Sequence, residues 1–114
     1  MQQTTQVEIK KIEDIAVLIV SGEVTSFSEK ILEESYQDVS NEGFKKICFN
    51  FENVSYINSA GMAIIIGILT NSRKLNQSLS GCGLTEHFQK IFDMVGITKY
   101  MPHWQSEEEA LHAF

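Results

Sequence analysis

Residues 15–20, IAVLIV, form an unbroken apolar run. The run is too short to cross a bilayer, and nothing polar interrupts it as an amphipathic helix would require. It reads as a strand covered on both faces, which belongs in the interior of a layered α/β structure. The flanking segments supply the layers. Val7, Ile9 and Ile12 alternate partially as a first strand, and Glu13 and Asp14 turn it into a hairpin with the apolar run. Ser26 and Glu29 stand at capping-box spacing before a helical stripe of Ile31, Leu32, Tyr36 and Val39, which Asn41, Glu42 and Gly43 stop. Ile47, Cys48, Phe49 and Phe51 make a third strand.

Residues 53–59 read as a loop and residues 60–75 as a second helix. Residues 77–83 are a thin fourth strand, because only Leu79 and Cys82 are clearly apolar and Gly81 has no side chain to pack. Thr85 caps a third helix lined by Leu84, Phe88, Ile91, Phe92 and Val95, and Gly96 closes it. Residues 97–101 are the expected fifth strand, and Ser106 with Glu109 opens a short last helix. The order ββαβαβαβα predicts one α/β domain over residues 1–114, with a mixed sheet of about five strands and about four helices.

Charge narrows the function. Fifteen acidic against nine basic residues give a net charge of −6, and the basic residues form only scattered pairs. Nucleic acid and anionic membrane surfaces are therefore unfavourable partners. The first residues contain no apolar signal segment, and the longest apolar run, residues 62–69, is too short to insert in a membrane. Cys48 and Cys82 read as structural thiols in strands, which fits a reducing cytoplasm.

Catalytic patterns are missing. His87, His103 and His112 have no metal-ligand spacing, and neither C-x-x-C nor H-E-x-x-H occurs. Gly81 and Gly83 belong to no phosphate-loop motif, and Ser59 lacks the G-x-S-x-G surroundings of a hydrolase nucleophile. No polar constellation converges on a small molecule. The expectation is a protein-binding domain that is not an enzyme and carries no cofactor or metal.

The second helix is the informative element. At about 100° per residue, its apolar side chains cover an arc of about 200°, twice what one core needs. Either the helix is sandwiched, or the edge around Met62, Ile66 and Leu69 is open to a partner. Its start, Asn58 and Ser59 followed by Ala60, Gly61 and Met62, offers good caps and free backbone N–H groups. A phosphate on Ser59 would be stabilised there while placing about two negative charges beside Ile57 and Met62.

The stretch YINSAGMAIIIGI resembles the signature of the STAS domain (sulfate transporter and anti-sigma factor antagonist), in particular that of bacterial anti-sigma factor antagonists. Asn58, Ser59, Ala60 and Gly61 take the places of the family's aspartate, serine, small residue and glycine. Gly22, Phe27, Ser28, the Arg73–Lys74–Leu75 stretch and CGLTEHFQKIFDMVGI extend the likeness over nearly the whole chain.

The resemblance implies an antagonist that binds an anti-sigma factor, itself a GHKL-type serine kinase, while Ser59 is unphosphorylated. A metal-dependent serine phosphatase would reverse the modification. It also implies a contact surface of Thr25, Ser26, Asn58, Ser59, Ala60, Gly61, Met62 and Ile66. Three places differ from the family pattern. Asn58 replaces the acid, Val24 and Thr25 replace a leucine–aspartate pair, and Asn76 and Gln77 replace a glycine pair. These differences keep open a second expectation, a constitutive STAS subunit of a sensory assembly or transporter complex.

Overall fold

The computed structural model describes residues 4–114; residues 1–3 of the expected span lie outside the described residues. Among the described residues, one sheet has five strands in the order β1-β2-β3-β4-β5. They are β1 (Gln6–Ile12), β2 (Ile15–Val24), β3 (Lys46–Ile57), β4 (Ser78–Cys82) and β5 (His103–Trp104). The first two are an antiparallel hairpin with Ile12 opposite Ile15, and the remaining neighbours are parallel. The helices are α1 (Glu29–Asn41), α2 (Ser59–Lys74), α3 (Glu86–Met94) and α4 (Glu107–His112).

This order fixes the layers. Each of the three crossovers steps to the next strand in the same direction. Crossovers of one hand therefore put α1, α2 and α3 on one face. Ala16, Leu18, Val20, Ile47, Phe49, Phe51 and Leu79 point into that face and meet Leu32, Tyr36, Ile64, Ile65, Ile68 and Phe92. The alternate residues Val17, Cys48 and Cys82 point to the other face, where Ala110, Leu111 and Phe114 of the C-terminal segment cover them. The unbroken apolar run follows from these two coverings. Glu107 ties α4 to the sheet, accepting from Lys10 Nζ at 2.6 Å and Asn50 Nδ2 at 3.1 Å. Burial alone would raise the Glu107 pKa, but the Lys10 and Asn50 hydrogen bonds outweigh it and hold the carboxyl below its ordinary value.

The predicted α/β mixed sheet is present, and the structure corrects four boundaries. Residues 53–57 are not a loop. They extend β3 because Val54 and Ile57 are buried and pair with Gly22 and Val24 of β2. Second, the fifth strand is not at residues 97–101. Gly96, at φ 85°, leads into a 3-10 turn, Ile97–Lys99, that buries both Ile97 and Met101. The strand comes after Pro102, whose carbonyl accepts from Gly81 N at 2.9 Å.

Third, the first capping box is Thr25 with Ser28, not Ser26 with Glu29. Thr25 N donates to Ser28 Oγ at 2.9 Å, and a 3-10 turn, Ser26–Ser28, precedes α1. Fourth, α2 begins at Ser59 rather than Ala60. The caps expected at Thr85 and Ser106 are formed, by bonds from Phe88 N at 3.4 Å and Glu109 N at 3.2 Å. Val95 drops out of the expected α3 stripe, being exposed beyond the helix end.

Candidate functional site at the amino end of α2

The start of α2 is held by backbone contacts. Asn58 N donates to Val24 O at 3.1 Å, joining the end of β3 to the end of β2. Asn58 then caps the helix: its side-chain oxygen accepts from Gly61 N at 2.9 Å, while its carbonyl accepts from Met62 N at 2.9 Å. Gly61 is required by contact. A Cβ there would lie 2.2 Å from the Val24 carbonyl oxygen, closer than atoms can approach. The first turn of α2 is therefore clamped to the sheet.

Asn58 takes the capping role, so Ser59 has none and its side chain is exposed at the first helical position. No acidic side chain lies in that first turn. At about 100° per residue, Ser59, Ala63, Ile66 and Thr70 fall on one stripe, and all four are exposed. Ile66 is 41% exposed and lies two turns from Ser59. The 3-10 turn Ser26–Ser28 packs against α2 and carries Phe27, which is 83% exposed. Tyr56, at the end of β3 that leads into α2, is 48% exposed. The result is a hydroxyl on a surface with several uncovered apolar side chains.

The expected contact residues divide by depth. Ser26, Ser59 and Ile66 are exposed; Asn58 and Ala60 are half-buried. Thr25, Gly61 and Met62 are buried and shape the surface from beneath. The expected open edge of α2 narrows accordingly. Met62 and Leu69 belong to the core, and of that edge only Ile66 is uncovered. Phe27 and Tyr56 were missed as surface residues. Phe27 sits in a 3-10 turn, where the periodicity of α1 no longer predicts its direction. Tyr56 lay in a segment read as loop, and alternation does not settle its direction, because Val54 and Ile57 are both buried across a register shift in the pairing with β2.

His103, read as having no site, has a structural role. Its Nε2 accepts from Leu84 N at 3.1 Å, and burial lowers its pKa. Both cysteines are buried free thiols. Among the described residues no cluster of His, Cys, Asp or Glu is arranged to hold a metal, and no helix is long and apolar enough to cross a membrane.

The family model of the STAS domain matches residues 6–110. The chain belongs to the STAS domain family, a family of regulatory, non-catalytic modules. It is 25% identical over 104 residues to BtrV of Bordetella bronchiseptica, a candidate anti-sigma factor antagonist, covering 91% of this chain and 90% of BtrV. It is 28% identical over 89 residues to the anti-sigma-B factor antagonist of Staphylococcus epidermidis, covering 78% of this chain and 82% of that protein.

Two solved structures share the fold. An anti-sigma factor antagonist from Mycobacterium paratuberculosis superposes with a TM-score of 0.84 at 17% identity, covering 96% of this chain and 93% of the other. The Bacillus cell fate determinant SpoIIAA, in its phosphorylated form, superposes at 0.72 with 20% identity, covering 96% and 98%.

Proposed function

We propose that this chain is an anti-sigma factor antagonist, active while Ser59 is unphosphorylated and released from its partner when that hydroxyl is phosphorylated. The observation that carries the reading is the division of labour between Asn58 and Ser59. The asparagine caps the helix, which leaves the serine exposed and available to a kinase. The relatives named as anti-sigma factor antagonists, and the phosphorylated form of SpoIIAA, support it.

The physical switch has two parts. A phosphate on Ser59 adds about two negative charges at the positive end of the α2 dipole, beside N–H groups, so the free protein tolerates it. Docking would require stripping water from those charges next to apolar Phe27 and Ile66, which opposes the complex. The partner is an anti-sigma factor with serine kinase activity of the GHKL type, and a metal-dependent serine phosphatase restores the binding form. Incubation with the cognate kinase and ATP, followed by intact mass, tests the assignment. One added phosphate on the wild type and none on Ser59→Ala is expected. No gain on the wild type, or an equal gain on the variant, rejects it.

The uncharged cap Asn58 favours a second reading, a constitutive STAS subunit of a sensory assembly or transporter complex. Copurification of assembly or transporter subunits in place of a kinase would select it.

A further inference from the structure

A concavity of mixed lining lies away from Ser59. It has a volume of about 450 Å³ and opens where the carboxyl end of α2, the outer edge of β4, the Ile97–Lys99 turn and the C-terminal segment meet. Its lining is unusual for this chain. Lys46, Arg73 and Lys99 line it, three of the nine basic residues, and none of the fifteen acidic residues does. In a chain of net charge −6 that is a local reversal of sign.

The lining mixes polar residues, Ser72, Gln77, Ser78 and Ser80 among them, with three aromatic side chains. Tyr100, Trp104 and Phe114 line the cavity, and the Arg73 guanidinium lies 4.0 Å from the centre of the Tyr100 ring. That stacking holds the cation in place at the rim. Lys46 is already engaged by Asp14 at 3.0 Å, so Arg73 and Lys99 are the cations available to a ligand.

Two further observations concern unmet hydrogen bonds. Ser78 N donates inward to Lys45 O, and Gly81 N donates outward to Pro102 O. By strand alternation the N–H and C=O of Leu79 also point outward. Strand β5 pairs only with Gly81 and Cys82, so it does not reach them. Ser80 also lines the cavity and is 4% exposed. Among the described residues its hydroxyl is the one buried side-chain polar atom that makes no hydrogen bond of ordinary geometry, with the Cys48 thiol close enough to interact with it. Buried polar groups rarely stay unpaired without a reason.

From these features we infer that the cavity binds a small organic anion: a carboxylate, sulfonate or phosphate head group on a flat apolar body. The head group is held by Arg73 and Lys99, and the body lies against Tyr100, Trp104 and Phe114. The volume suits a ligand of that size. The open edge of β4 offers the unpaired groups of a single residue, too short to add a peptide strand. The residues come from several separate elements, so no local pattern in the sequence reveals their convergence.

The test is a titration of the ¹⁵N-labelled chain with 2-naphthoate, with the neutral 2-naphthamide as control. The naphthoate should saturably shift the amides of Leu79, Ser80 and Tyr100, and the amide control should bind about tenfold more weakly. Arg73→Gln combined with Lys99→Gln should weaken the naphthoate by about tenfold with an unchanged circular dichroism spectrum. If the double variant unfolds, Lys99→Gln alone serves, because Lys99 is exposed. No saturable shift, shifts centred on the amino end of α2, or equal affinity for the neutral control would overturn the site.

Discussion

At its amino end, α2 presents an acid-free turn clamped to the sheet, with an exposed serine and apolar neighbours. At its carboxyl end, it presents Arg73 and Lys74 beside an open cavity of about 450 Å³. Both ends obey the same dipole, positive at the start and negative at the finish. The carboxyl end is matched by its own cations, whereas the amino end carries no side-chain charge to match it. A helix dipole left without a charged partner in the unmodified protein is a place where an added phosphate changes the most. Backbone contacts from β2 set the amino end, so a partner meets a preformed surface there.

The contrast breaks most visibly at Gly61. Gly61→Ala should cost about 3 kcal/mol or more in chemical denaturation, because the new methyl meets the Val24 carbonyl and neither backbone can yield cheaply. A loss below about 1 kcal/mol would mean that the amino end is not clamped. Asn58→Ala should cost about 1 kcal/mol by removing the cap, while Asn58→Asp should be neutral or gain up to about 1 kcal/mol from the dipole. If the aspartate variant were clearly less stable than the wild type, the unmatched dipole would be the wrong description.

Ser59→Ala should change stability by no more than about 0.5 kcal/mol, since the hydroxyl caps nothing. A larger loss in thermal denaturation would assign the serine a structural role.

A pH dependence tests the frame that carries both ends. Burial lowers the His103 pKa from 6.5, and Nε2 must be unprotonated to accept from Leu84 N. The unfolded chain then binds the proton more readily than the folded one. This contribution is fully present above the unfolded pKa of 6.5 and is lost as the pH falls from there through the folded value. His103→Gln should flatten that part of a stability–pH curve, and an unchanged slope would contradict the assignment.

The sequence made the layers legible because burial patterns are local. Residues 15–20 announced a doubly covered strand, and the Leu32–Tyr36–Val39 stripe announced the buried side of α1. Errors arose where tertiary pairing overrides local pattern. Residues 53–57 look like a loop until β2 is beside them, and residues 97–101 look like a strand until Ile97 and Met101 are both drawn into the core from one side of a tight turn.

The site divides in the same way. Ser59 at a helix start could be read directly, since caps and glycines mark that boundary. The exposure of Phe27 and the burial of Met62 could not, because each depends on how the Ser26–Ser28 turn and α2 sit against β2 and β3. The basic cavity was illegible for a related reason: Lys46, Arg73 and Lys99 come from β3, α2 and the Ile97–Lys99 turn, and only the packing of those elements at the edge of β4 brings them together.

Docking is the quantity on which the account rests, and titration calorimetry of one anti-sigma factor against two forms of the chain measures it. The unmodified protein should bind, and the protein carrying a phosphate on Ser59 should bind at least about tenfold more weakly, with an unchanged circular dichroism spectrum. Equal affinities for the two forms would show that charge at the start of α2 does not govern docking.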